Sequence, residues 1–275
     1  MQQSSVFFHL INEMELFTHA IESLRIFIDS ISPKKSCFEK PFTPWPEGGS
    51  RNIVLAQDMG LELGSPQKES VSCLLWTGNV SAIEDGKTTL IGPDFFESVG
   101  KSLPFGKVVL AGVEGFTEDN AYERHKELEY LRYNLDLQGF MMRAVSQYMK
   151  EWCRISRDAL SNGFSAQILG RSLINHFREK PYVRAVEVII FTSSTADIKR
   201  LREITAPAEK IISAMNKMIS ETDHECGTCD YQNVCDEVDG LKVMREKLID
   251  KSKGRLHGGH EDAVMSQGDV DGIKK

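Results

Sequence analysis

The 275-residue chain has little positive charge to spare and no long apolar run. Its formal net charge is −7, and Lys and Arg are scattered rather than gathered in a stripe. That distribution argues against a nucleic-acid partner, because phosphate recognition needs clustered cations. Charged residues interrupt every apolar stretch, so no membrane span is expected. There is no basic n-region before the first apolar residues, which excludes the usual secretory leader and makes the cytoplasm the expected compartment. Cysteine is scarce in a telling way: of six, three fall between Cys226 and Cys235, no cysteine follows, and neither a second C-x2-C nor any C-x-C occurs. In a reducing compartment such a cluster points to metal or redox chemistry before structural disulfides.

What is present is an ordinary globular composition, 41% apolar and 27% charged. Phe7, Leu10, Ile11, Met14, Phe17, Ile21, Leu24 and Ile28 recur at the helical period, so residues 1–31 read as an amphipathic helix. Residues 32–52 hold four prolines and two glycines and read as a linker. From Ile53 to Val113 the pattern is β-like, with strands expected at Val71 to Thr77, Lys87 to Gly92 and Lys107 to Val113. Gly112 to Gly115 reads as a plain β–α turn. Helices are expected over Asn120 to Leu135, then over Gly139 to Leu160 on a stripe of Met141, Val145, Tyr148, Trp152, Ile155 and Ala159, and then over Ser165 to Arg178. The near-continuous apolar run from Val183 to Ser194 suits a strand covered on both faces. A capped helix over Ala196 to Ser220 should kink or restart at Pro207. The fold class that follows is α/β: a mixed sheet flanked by helices, with an N-terminal helix and a C-terminal cysteine loop plus helix. The expected organisation is an α/β domain over residues 53–222, a cysteine knuckle and closing helix over 223–250, and a tail without fixed structure over 251–275.

The run HECGTCDYQNVC, His224 to Cys235, has the spacing C-x2-C-x5-C. Cys226 and Cys229 place two thiolates within one turn, and Cys235 can return to the same centre after a short loop. Four-cysteine zinc sites ordinarily use two C-x2-C knuckles, whereas iron–sulfur cubes accept wider spacings. An iron–sulfur cluster is therefore the leading expectation and zinc the alternative. A fourth ligand could come from Cys37, Cys73, Cys153 or His224. Cys73 and Cys153 sit among apolar residues and also read as buried thiols packed as small hydrophobes. The cysteine run by itself also resembles that of RecB-like nucleases. Glu187 could serve such a site, but the lysine expected on the same strand is missing.

The segments EDGKTTLIGPDF, LPFGKVVLAGVEG, YNLDLQGFMMRAVSQYMKEWCRISRDALSNGF and PYVRAVEVIIFTSSTADI together resemble the acetyl-CoA synthase family, the CO dehydrogenase/acetyl-CoA synthase β subunit. They follow in the same order with similar spacing, over roughly Leu55 to Cys235. The resemblance implies a [4Fe-4S] cluster on the cysteine run. Cys226 and Cys229 match the family's opening pair, and Cys235 stands at the third position after a shorter spacing. The fourth cysteine and the later Cys-Gly-Cys that holds nickel have no counterpart in this sequence, which argues against nickel because square-planar nickel needs a dense set of N and S donors. The implied role is anaerobic one-carbon or acetyl-CoA metabolism, as an electron-transfer or partner-docking subunit or with an open-site cluster. The implied partners are a CO dehydrogenase-like, corrinoid or ferredoxin-type protein. The alternative is a non-enzymatic α/β interaction protein stapled by an iron–sulfur or zinc centre.

Overall fold

In the computed structural model the described residues are 14–38, 44–146, 149–220 and 226–258. The chain folds into two β-sheets with helices packed around them. Strands β1 (Lys34–Phe38), β2 (Met59–Leu63), β3 (Ser70–Thr77), β4 (Lys87–Ile91), β5 (Ser102–Leu103) and β6 (Phe105–Val113) follow helix α1 (Thr18–Ser30). Helix α2 (Ala121–Tyr133) leads into the hairpin β7 (Phe140–Ser146) and β8 (Lys150–Ser156). Then come α3 (Arg157–Ser161), α4 (Ala166–Arg178), β9 (Val183–Phe191), α5 (Thr195–Ser220), α6 (Gln232–Glu237) and α7 (Asp239–Gly258).

The larger sheet has the order β1-β4-β9-β6-β3 and is mixed: β4 with β9 and β3 with β6 run parallel, the other pairs antiparallel. Its central strands are covered on both faces. Every residue of β6 is buried, and only Arg184 of β9 is exposed, as expected for its continuous apolar run. Helix α5 approaches the sheet at Gly106, where a Cβ would stand 2.9 Å from Leu201 Cδ2 and 2.9 Å from Phe191 Cβ. The smaller sheet has the order β5-β2-β8-β7. Among the described residues no helix is long and apolar enough to cross a membrane.

The α/β class with flanking helices is as expected, but four local readings change. The helix expected over Gly139 to Leu160 is the hairpin β7–β8 followed by the short α3. In β8 burial alternates, with Glu151, Cys153 and Ile155 inside, so a period of two prevails over the 3.6-residue stripe. Trp152, on the other face, lies against Arg143 (4.9 Å) and Arg154 (5.8 Å). The proline-rich linker contains β1, antiparallel to β4 with Cys37 opposite Thr88; an edge strand needs hydrogen bonds on one side only, and Pro33 stands outside it. Helix α5 runs unbroken through Pro207, because seven buried residues on one face, Leu201 and Ala208 among them, outweigh one missing backbone bond. Helix α7 continues past Asp250 to Gly258.

The α5 cap stands where expected, whereas the N-terminal stripe is helical only from Thr18, so that Met14 and Phe17 precede α1. Ser165 accepts from Ile168 N at the start of α4, and Ser194 with Asp197 forms a reciprocal cap on α5. Met14, Phe17, Ile21, Leu24 and Ile28 are buried, while Phe7, Leu10 and Ile11 lie outside the described residues.

Candidate cysteine centre

The cysteine run follows the 26-residue α5, and α6 and α7 pack back against that helix. Cys226 opens a single 3-10 turn, Cys226–Thr228, in which Cys229 N donates to Cys226 O at 3.3 Å. Gln232 N then donates to Cys229 O at 3.1 Å and starts α6, whose first turn carries Cys235 inward. The C-x2-C spacing thus becomes one tight turn and the x5 spacing one helical turn more. Helix α7 closes the unit: Leu241 and Met244 are buried, and a Cβ at Gly240 would stand 2.6 Å from Leu16 Cδ2. Lys247 of α7 ties this unit to the loop before α2 through Glu118, at 3.0 Å, and Asp119.

Cys226, Cys229 and Cys235 all line one concavity at the meeting of α5, α6 and α7. Ala214, Met218 and Leu248 give it an apolar wall, and Lys217 and Arg245 bring positive charge. Cys226 and Cys229 are half-buried and Cys235 is buried. Burial pushes the Cys235 thiol up; the Arg245 guanidinium opposes this, and the neighbouring Cys229 and Cys226 add to it. Arg245 is held 2.7 Å from Asp236, the residue after Cys235. Among the described residues no three His, Cys, Asp or Glu side chains are grouped closely enough for a single metal ion. Three cysteines lining one hollow, with an apolar wall and nearby cations, are the donor types that a thiolate-bound iron–sulfur cube uses.

The other candidate ligands stand elsewhere. Cys73 lies in the middle of β3, fully buried, its thiol pushed up to about 12 by burial. Cys153 of β8 is equally buried; its thiol is raised well above the usual range by burial and by Glu151, to which its Sγ donates at 3.2 Å. Cys37 sits on the edge strand β1, its Sγ 3.7 Å from Thr88 O. None of the three lines the concavity. His224 lies outside the described residues. Glu187, the acid that a nuclease reading would use, accepts a two-pronged contact from Arg25.

A second constellation escaped the sequence reading. Lys107 of β6 and Glu151 of β8, both fully buried, pair at 2.7 Å. Ser72 of β3 donates to Glu151 at 2.7 Å, and Arg132 of α2 donates to Ser72 at 2.9 Å while pairing with Glu129 at 2.7 Å. Burial alone would raise the Glu151 carboxyl; Lys107, by charge and hydrogen bond, then Arg132 and Ser72, outweigh it and hold it below the usual range. This network joins the two sheets and opens on no described cavity. The one available signal was a charged residue inside each strand, Lys107 before VVLAGV and Glu151 before Trp152.

Comparison with known proteins matches residues 45–196 to the family described as CO dehydrogenase/acetyl-CoA synthase complex beta subunit. The match runs from Trp45 to the first turn of α5 and so takes in every strand of both sheets except the edge strand β1. Among similar proteins, the acetyl-CoA decarbonylase/synthase complex subunit beta of Archaeoglobus fulgidus is 26% identical over 232 residues, covering 78% of this chain and 43% of the relative. Subunit beta 2 of Methanosarcina mazei is 27% identical over 258 residues, covering 80% of this chain and 53% of the relative. The carbon monoxide dehydrogenase/acetyl-CoA synthase subunit alpha of Moorella thermoacetica is 27% identical over 256 residues, covering 85% and 33%. The chain thus spans about half or less of the length of these relatives. With more than half of its residues matched in one continuous block, the chain belongs to the CO dehydrogenase/acetyl-CoA synthase complex beta subunit family.

Proposed function

We propose that the chain carries a [4Fe-4S] cluster on Cys226, Cys229 and Cys235 and works in anaerobic one-carbon or acetyl-CoA metabolism as an electron-transfer or partner-docking subunit. The observation that carries this reading is the shared concavity: the C-x2-C-x5-C run brings all three cysteines into the lining of one hollow. Family membership supports the metabolic setting, since the relatives are named as subunits of acetyl-CoA decarbonylase/synthase or CO dehydrogenase/acetyl-CoA synthase complexes. The partner is accordingly a CO dehydrogenase-like, corrinoid or ferredoxin-type protein. When bound, the cluster would supply one-electron chemistry. Cys226, Cys229 and Cys235 would hold it by their thiolates, Met218 and Leu248 would screen it, and Arg245 and Lys217 would balance its charge.

A structural role for the same centre is the second reading, favoured by its place at the junction of α5, α6 and α7. There a metal would staple the C-terminal helices to the α/β body whether or not it changed oxidation state.

The test is anaerobic purification and reconstitution of the chain with ferrous iron and sulfide, followed by Fe, Ni, Zn and sulfide analysis. The cluster reading expects iron with matching sulfide and a visible absorption that bleaches with dithionite. Replacing Cys226, Cys229 or Cys235 by Ser should abolish iron uptake. Replacing Cys37, Cys73 or Cys153 should leave the three-thiol centre able to take it up. A colourless, zinc-loaded chain would overturn the redox reading and leave the staple. Stoichiometric nickel would contradict the expectation drawn from the missing Cys-Gly-Cys.

A further inference from the structure

The charge beside the cysteines invites a more specific statement, one that rests on the cluster reading above. We propose that Arg245 is a positioning residue whose guanidinium, anchored by Asp236, sets the reduction potential of a cluster bound to Cys226, Cys229 and Cys235.

Arg245 lies in the second turn of α7 and lines the same concavity as all three thiols. Its side chain is 16% exposed, and Asp236 fixes it at 2.7 Å from the neighbouring helix α6. Because Asp236 follows Cys235 directly, the anchor and the ligand move as one piece of backbone. The guanidinium is close enough to interact electrostatically with Cys226 and Cys235, which act on it in return. An arginine keeps its charge at every accessible pH, so the bias it exerts does not titrate away.

The sign follows from counting charge. Each cysteine ligand brings one negative charge, and accepting an electron from an external donor adds another. A fixed cation in a partly buried setting therefore stabilises the reduced state more than the oxidised one and raises the potential. Asp236 acts in the opposite sense, but its carboxylate is 49% exposed, so water screens it more than the guanidinium. The net bias is positive. Lys217 lines the same hollow with its ammonium 6.0 Å from the Tyr231 ring centroid, so the test alters the Arg245–Asp236 pair and leaves Lys217 in place.

The experiment is a dithionite-poised redox titration of the reconstituted full chain, followed by visible and electron paramagnetic resonance spectroscopy. Arg245→Gln should keep the iron and sulfide of the parent while its midpoint moves to a more negative potential. Arg245→Lys should stay near the parent value, and Asp236→Asn should move to a more positive one. A loaded Arg245→Gln protein with the parent potential overturns the proposal. Where that variant does not retain its cluster, Asp236→Asn decides: an unmoved midpoint overturns the proposal and a positive shift sustains it. A parent chain that takes up no iron fails in a different place, removing the cluster reading and this inference with it.

Discussion

Arg25 grips Glu187 with both prongs of its guanidinium, Nη1 donating to Oε1 at 2.8 Å and Nη2 to Oε2 at 2.6 Å. Glu187 is in the middle of the central strand β9, its side chain 1% exposed, while Arg25 reaches it from α1. Glu84 N donates a third bond to the same carboxylate at 3.1 Å. The N-terminal helix is therefore attached to the sheet by a charge that the core cannot leave alone. Arg25→Met would leave Glu187 buried with only the Glu84 amide for a partner. The expected loss is about 2–3 kcal/mol, below the usual range for a buried pair because Arg25 is 26% exposed. Urea unfolding measures it, and adding Glu187→Gln to the Arg25→Met variant should recover part of the loss.

The Lys107–Glu151 pair is more deeply buried, with both side chains at 0% exposure. Lys107→Met removes the cation that chiefly offsets Glu151 burial and should destabilise the chain by about 3–5 kcal/mol, the larger of the two ion-pair effects. The folded-state pKa of Glu151 is depressed, so its contribution is present above the unfolded carboxylate range and is lost as pH falls through the folded value. Parallel denaturation curves of parent and variant should converge on acidification. Curves that stay equally far apart in acid would contradict the assignment.

His125 supplies a second pH dependence in a separate window. It is 1% exposed, accepts a hydrogen bond from Trp76 Nε1 at 3.3 Å through Nδ1, and lies beside the Phe17 ring. Burial pushes its pKa down to about 4 from the ordinary 6.5. A depressed histidine stabilises fully above the unfolded value, so stability should fall from pH 6.5 toward 4, by on the order of 3 kcal/mol in total. His125→Gln keeps an acceptor for Trp76 and should flatten the curve between pH 6.5 and 5. A variant whose slope there equals that of the parent would refute the assignment.

Thiol reactivity should separate the cysteines of the metal-free chain. Cys37, Cys226 and Cys229 are half-buried and should react first with iodoacetamide at pH 8, followed by the buried Cys235. With a pKa of about 12, Cys73 would be thiolate in only roughly one molecule in ten thousand at that pH, and its strand admits no reagent. Cys73 and Cys153 should remain unmodified until urea unfolds the chain. Peptide mass spectrometry reads the order directly, and early labelling of either would show that the sheets open locally.

Strands β3, β4, β6 and β9 and helices α2, α4 and α5 were legible because each carries a strong local signal, an apolar run or a cap at the right place. The hairpin β7–β8 was not: Met141, Val145, Trp152, Ile155 and Ala159 satisfy a helical stripe while β8 also alternates, and pairing with β2 decides between them. Strand β1 was hidden because its hydrogen bonds go to β4, fifty residues away in sequence. The candidate site divides in the same way. Spacing alone singled out Cys226, Cys229 and Cys235, since a turn and a short helix are local. Arg245 carried no signal, because what brings it to the thiols is the packing of α7 across α5 and α6.

By itself the sequence determined the class of the fold, the covered central strands, the cysteine run and the family, all properties of short segments and their order. Only the tertiary structure decided that there are two sheets rather than one, that Glu187 belongs to Arg25, and that Lys107 and Glu151 neutralise each other between the sheets. It also brought the three cysteines into the lining of one hollow beside Arg245 and kept Cys73 and Cys153 inside the body. The physical reason is the same in each case. Backbone conformation and periodicity are local, whereas burying a charge or assembling a donor set requires partners that only long-range packing supplies.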